Sequence, residues 1–335
     1  LPGDSIESVD WDSGVILGSG MSANDLFAEK IMPYTNAGNV RRLGSAIIEQ
    51  TMNSAPSAHV AGLLALGNQV TSNSSACSTG TESIVNAFER ITSGHAKRML
   101  AGGCEGFSPY SLAGFDSMRV LNRKSNDNPQ AASRPMSATA SGFIPGCGAG
   151  ILMLEDLESA LSRKQRIYAE VLGGAVNCGG QRGGGTMTAP NSTGVQHCIK
   201  AALAMSEIGP EEIDAISGHL TSTMADPLEI KNWTLALNRN GKNFPYINSV
   251  KSMIGHCLGA AGGIECVATV LQLHKNFLHP SINCEDIHPE IAGLIDEDRI
   301  VRKEIKTDNI KIMAKSSFGF GDVNSCVIFK KWAND

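Results

Sequence analysis

The 335 residues are 42% hydrophobic and 18% charged, with a formal net charge of −5, an ordinary make-up for a globular chain able to bury a large core. No basic run is present, which argues against a nucleic-acid footprint. No stretch approaches the roughly 20 apolar residues of a membrane span.

Glycine is abundant at 36 residues and aromatic content low at 5%, which suggests tight turns and close backbone approaches. The nine cysteines are odd in number and irregularly spaced. No C-x-x-C pair suggests zinc or redox exchange, and no dense framework suggests secretion. A reduced, cytoplasmic protein is the simplest expectation, with most cysteines acting as small buried hydrophobes.

In chain order, short apolar runs alternate with longer amphipathic stretches, the pattern of layered α/β folds. The pattern predicts strands over 14–18, 70–75, 98–102, 150–154, 167–176, 213–218, 245–248, 311–316 and 324–329. It predicts helices over 79–93, 194–207, 226–237 and 259–273. A boundary near 156–166 separates two halves, 1–160 and 161–335. Each carries a strand, a small-residue turn and a helix, with reactive residues at the strand ends, where open α/β sheets place their sites.

Four segments carry chemistry. In Asn73-Ser74-Ser75-Ala76-Cys77-Ser78-Thr79-Gly80 a strand runs into small residues, a thiol and a helix start. There the free N–H groups and the macrodipole favour a thiolate, and a turn N–H can serve an oxyanion. Ser217-Gly218-His219-Leu220-Thr221-Ser222-Thr223 offers an imidazole to polarise a carbonyl and hydroxyls for an amide-rich ligand arm. Ser249 to Gly262 places Lys251 and His256 about a turn before a small-residue helix, with Glu265 positioned to pair with Lys251. Ser317-Phe318-Gly319-Phe320-Gly321-Asp322 sets a bulky ring between flexible glycines. Taken singly, each also fits a structural role: a buried cysteine, a hydrogen-bonded histidine, a surface lysine with a capping histidine, a hairpin turn. Four such coincidences in one order fit chemistry better.

Together these segments resemble the β-ketoacyl-acyl-carrier-protein synthases of the elongating type, with a Cys–His–His site. Ser133-Arg134-Pro135, Gly146-Cys147-Gly148-Ala149-Gly150 and Thr188-Ala189-Pro190-Asn191 carry the likeness across essentially the whole chain. It implies a thiolase-like fold, two similar α/β halves stacked as five αβαβα layers, normally as a homodimer. The family opens with a further strand and helix before the position of Leu1, so a longer natural chain is expected.

By the same resemblance, Cys77 takes an acyl group from a carrier-protein phosphopantetheine. Malonyl-carrier protein then loses carbon dioxide and attacks that thioester, with His219 and His256 as neutral donors to the malonyl oxygen. Cys77 and Phe320 supply oxyanion N–H groups, and Thr221 and Thr223 hold the pantetheine. Lys251 and Glu265 organise the site, Phe320 gates the acyl pocket, and no metal or cofactor is expected. The chain departs from the family pattern at Leu220, Cys147, Asp322 and Ala140-Ser141-Gly142-Phe143, which points to a specialised pathway and leaves the acyl group open. A thiolase would need a second catalytic cysteine, and Cys326 follows the Phe320 loop. A starter-condensing synthase would carry Asn at position 256. A partner subunit that shapes a synthase heterodimer, non-catalytic or chain-length-determining, is the alternative. A dinucleotide site at Gly18 or Gly146 lacks the full glycine pattern.

Overall fold

The computed structural model describes residues 8–333. Eleven described strands form three sheets. The first sheet takes β1 (Ser13–Gly18), β2 (Val70–Thr71), β3 (Arg98–Glu105) and β4 (Gly148–Glu155) in the order β2-β1-β3-β4. The second takes β5 (Ala169–Cys178), β6 (Ala215–Ser217) and β7 (Tyr246–Asn248), with β10 (Ile312–Gly319) and β11 (Val323–Lys331), in the order β7-β6-β10-β11-β5. A small antiparallel pair, β8 (Phe277–Leu278) with β9 (Ile305–Lys306), stands apart.

The two main sheets repeat one topology. β1 runs parallel to β2 and β3, and β4 returns antiparallel to β3. In the same way β6 runs parallel to β7 and β10, and β11 returns antiparallel to β10. β11 is further covered by β5, whereas β4 is the edge of its sheet among the described residues.

Between the sheets lie two helices, Thr79–Thr92 and Ala261–Lys275, each touching strands of both. They cross with almost no side chain between them, because a Cβ at Gly80 would meet the Gly263 nitrogen at 2.3 Å. Ala55–Leu64 covers the outer face of β1, and Ser192–Met205 that of β5 and β11. The result is helices, sheet, helices, sheet, helices: the five layers expected. Apolar packing follows the layers, with Ile84, Met99, Met313 and Phe329 in one cluster and Ile199, Ile216, Trp233 and Ile328 in another. No described helix is long and apolar enough to cross a membrane.

The strand expected over 70–75 pairs regularly only at Val70–Thr71. Ser57 Oγ accepts from Leu17 N–H at 2.9 Å and lies 2.6 Å from the Thr71 carbonyl oxygen. That hydroxyl from the neighbouring helix occupies the ladder position at which β2 leaves β1, and the chain runs on toward the site.

Candidate active site

Cys77 sits in a single 3-10 turn, Ala76–Ser78, that leads into the Thr79–Thr92 helix. Ala76 takes φ +50, a left-handed conformation that costs an L-residue roughly 1–2 kcal/mol and that a small side chain tolerates best. Thr79 Oγ1 steadies the turn by accepting from Ser75 N–H at 2.9 Å and donating to the Ala76 carbonyl at 2.7 Å. Ser78 Oγ reaches the carbonyls of Ser317 and Val323, at 3.1 and 2.9 Å, and so ties the turn to both strands flanking the Phe320 hairpin. The approach leaves no room for a side chain at 319, where a Cβ would lie 2.7 Å from the Ser75 oxygen. The backbone N–H of Phe320 thereby reaches the Cys77 sulfur.

The thiolate expected from the helix start is not the resting form. Burial pushes the Cys77 thiol up to about 11, against the opposing pull of Lys251 and the Phe320 N–H. Loss of hydration outweighs the helix terminus here.

His256 Nε2 stands 3.1 Å from Cys77 Sγ. The backbone holds this imidazole: His256 N–H donates to the Ile144 carbonyl at 2.7 Å, and Leu258 N–H donates to His256 Nδ1 at 3.1 Å. Nδ1 is therefore the acceptor, and the neutral ring carries its hydrogen on Nε2, facing the sulfur. His219 is set the same way, because the Lys251 ammonium, which can only donate, lies 3.5 Å from His219 Nδ1. The two rings meet edge to face at 5.4 Å between centroids. Cys77, His219 and His256 offer polar atoms that all lie within 4.8 Å of one another. Burial, then the Lys251 charge, lowers both imidazoles well below the usual histidine range. His256 thus presents a neutral Nε2–H to the thiol, with the neutral His219 ring beside it.

Glu265 pairs with Lys251, as expected from sequence, and both are 1% exposed. A second cation was not expected: Lys315 Nζ lies 2.9 Å from Glu265 Oε2 and is 0% exposed. Its signal was a lysine directly after the apolar run Ile312-Met313-Ala314. One carboxylate is therefore shared between two buried ammonium groups. Glu265→Gln is expected to cost about 3–5 kcal/mol of stability, because it leaves both uncompensated. Lys315→Met leaves a neutral Lys251–Glu265 pair and is expected to cost about 1 kcal/mol or less. Urea unfolding of the two variants measures the difference.

These groups open onto a cleft of about 310 Å³ lined by Cys77, both imidazoles, Thr221, Thr223 and Phe320, with Phe115, Met118 and Phe143 forming an apolar end. The Thr221 and Thr223 hydroxyls lie 2.9 Å apart. Every site residue predicted from sequence is thus brought to one place. Three carboxylates that build it were missed. Asp226 accepts from the N–H groups of Thr221, Ser222 and Met136, at 2.8, 3.1 and 2.9 Å. Glu229 accepts from His219 and Leu220 N–H, both at 2.7 Å, and burial raises it to about 7. Glu105, at the end of β3, accepts from Gly20, Met21 and Gly259 N–H at 2.8, 3.0 and 2.9 Å. Each holds main-chain donors, a role that leaves no spacing pattern.

Two departures from the family pattern are also explained. Leu220 is 0% exposed and packs into the core beyond the second sheet, so its side chain does not enter the cleft. Cys147 is exposed and lines a separate recess of about 70 Å³ with Phe107 and Leu112.

Comparison with known proteins agrees with this geometry. Residues 2–160 match the β-ketoacyl synthase N-terminal domain and residues 168–285 the C-terminal domain. The chain is 39% identical to 3-oxoacyl-[acyl-carrier-protein] synthase I of the Arabidopsis thaliana chloroplast, over 98% of this chain and 68% of that protein. It is 34% identical to synthase 1 of Haemophilus influenzae, over 96% of this chain and 76% of that protein. Among solved structures, a β-ketoacyl synthase from Burkholderia phymatum superposes with a TM-score of 0.89 at 28% identity, covering 98% of this chain and 78% of that one. A type II polyketide ketosynthase in complex with its acyl-carrier protein gives 0.87 at 29% identity, covering 96% and 78%. The chain belongs to the β-ketoacyl synthase family, as a thiolase-like acyltransferase of the 3-oxoacyl-acyl-carrier-protein synthase kind.

Proposed function

We propose that Cys77 carries an acyl group delivered by an acyl-carrier protein, and that the enzyme joins it to malonyl-carrier protein by decarboxylative condensation. The observation that supports this most is the pair of neutral imidazoles beside the sulfur, His256 with its Nε2 3.1 Å from it. In the first step the Cys77 sulfur attacks the incoming thioester, its proton passes to the departing pantetheine sulfur, and acyl-Cys77 forms. The N–H groups of Cys77 and Phe320 receive the oxyanion. In the second step, malonyl thioester loses carbon dioxide and the electron pair of the broken bond becomes an enolate, stabilised by His219 and His256. Its carbon attacks acyl-Cys77, the carbon–sulfur bond breaks, and the Cys77 sulfur recovers one proton from solvent. Thr221 and Thr223 bind the pantetheine arm, Lys251 and Glu265 orient His219, and Phe320 gates the acyl end.

The intact trio of Cys77, His219 and His256 supports the catalytic reading over that of a partner subunit. The same proposal divides the chain at 160/161 and makes it a homodimer. Large exposed apolar side chains within residues 24–64, Phe27, Met32, Ile48 and Leu63 among them, support a covered face. The nine cysteines are unpaired, which suits a reducing compartment such as the cytoplasm. Incubation with acyl- and malonyl-carrier protein should release carbon dioxide and yield a 3-oxoacyl-carrier protein two carbons longer. Carbon dioxide released with no lengthened product from the wild-type chain would contradict the proposal.

A further inference from the structure

The turn between β10 and β11 faces the loop 179–191 that follows β5, and both reach the cleft: Phe320 lines it from one side, Thr188 and Pro190 from the other. Asp322 joins them. It holds φ +62 and is 1% exposed. The left-handed backbone alone would favour glycine, and an uncompensated buried carboxylate is costly, so the side chain must be held by something. Gln181 N–H donates to Oδ2 at 2.9 Å and Asn191 N–H to Oδ1 at 2.8 Å. The loop has room for the carboxylate because it lacks side chains there. A Cβ at Gly179 would lie 2.3 Å from Oδ2, and one at Gly185 would lie 2.6 Å from it. Main-chain bonds run beside this contact, from Gly179 N–H to the Asp322 carbonyl at 2.9 Å and from Gly321 N–H to the Met187 carbonyl at 2.8 Å. Asn191 also caps the Ser192–Met205 helix by accepting from Thr193 and Gly194 N–H, so the loop is anchored at its far end to an outer layer.

We propose that Asp322 is a positioning residue for acyl selection, latching the Phe320 turn to the 179–191 loop so that the cleft's apolar end stays short. The inference rests on the reading of Cys77 as the acyl carrier. An unlatched Phe320 turn would yield to a longer chain pushing past Phe115 and Met118, whereas a latched one resists it. Loss of two charge-assisted hydrogen bonds sets the size of the effect.

Asp322→Gly removes the carboxylate while relieving the left-handed backbone, so it separates the latch from strain. In the full chain, amide hydrogen exchange across 179–191 is expected to quicken about tenfold. The ratio of kcat/KM for a tetradecanoyl over a butanoyl carrier substrate is expected to rise about tenfold. Asp322→Asn keeps the shape and one accepting oxygen, and should fall between the two in both readouts. Unchanged exchange in Asp322→Gly would overturn the latch, and faster exchange with an unchanged ratio would overturn its role in selection. Equal loss on both substrates with a lowered Tm would reduce Asp322 to a structural residue and overturn the proposal as well. If the wild-type chain loads no acyl group on Cys77, the functional reading fails, and the exchange measurement still decides whether the latch exists.

Discussion

Cys77→Gln is expected to lower condensation by about 1000-fold or more and to leave malonyl decarboxylation measurable. The two half-reactions use different atoms of one site. Acyl transfer requires the sulfur, which forms and then breaks a carbon–sulfur bond. Decarboxylation requires only that the malonyl thioester oxygen meet donors, and both imidazoles are held by groups independent of Cys77: Leu258 N–H for His256, and Lys251 for His219. A glutamine amide is polar, uncharged and unable to carry an acyl group, and it keeps the turn between Ala76 and Thr79 filled. Carbon dioxide release and 3-oxoacyl product should be followed in the same reaction. If both disappear together in a folded variant, the separation of roles is wrong.

His219→Ala and His256→Ala are each expected to lower decarboxylation by about 100- to 1000-fold, the usual loss for one donor to a developing oxyanion. The pH dependence carries a further sign. Both imidazoles sit well below the usual histidine pKa in the folded protein. Between the ordinary value near 6.5 and the lowered folded values, the unfolded chain binds protons that the folded chain refuses. Acidification through that window therefore removes stability, while the folded enzyme keeps neutral donors. Decarboxylation measured from pH 8 to pH 6 should stay level until unfolding begins, with no titration step near 6.5. A step there that vanished in His256→Ala would mean that a protonated imidazole does the work.

The site was legible in sequence where a motif requires several residue types at fixed places: Cys77 after small residues, His219 before two threonines, Lys251 and His256 about a glycine. Cys77, His219, both threonines and His256 line one cleft, and Lys251 lies buried behind His219. What escaped was electrostatic context. The helix start argued for a thiolate at Cys77, but burial, which depends on both sheets and the Phe320 hairpin, dominates and raises the thiol. Lys315, Glu105, Asp226 and Glu229 escaped because each is a single polar residue whose partners are main-chain groups or a distant side chain. Among the helices, Thr79–Thr92 and Ala261–Lys275 were expected to within about two residues at either end, since each lies between two sheets and buries several of its residues there. Ala55–Leu64 was not expected. It buries only Ser57 and Ala61, and its alanine, proline and glycine leave no apolar stripe to read.

The duplicated sheet topology explains why the two halves bring their reactive ends together. The Thr79–Thr92 and Ala261–Lys275 helices, from the two halves, cross at Gly80 and Gly263. Cys77 precedes one helix by two residues and His256 precedes the other by five, so a close helix crossing places thiol and imidazole side by side.

The place where the acyl group resides decides the proposed mechanism most directly. The enzyme incubated with a panel of acyl-carrier proteins, digested and mapped by mass spectrometry, should carry one acyl mass on the peptide containing Cys77 and lose it when malonyl-carrier protein is added. An adduct spread across the nine cysteines, or one on Cys77 that malonyl-carrier protein fails to discharge, would contradict it.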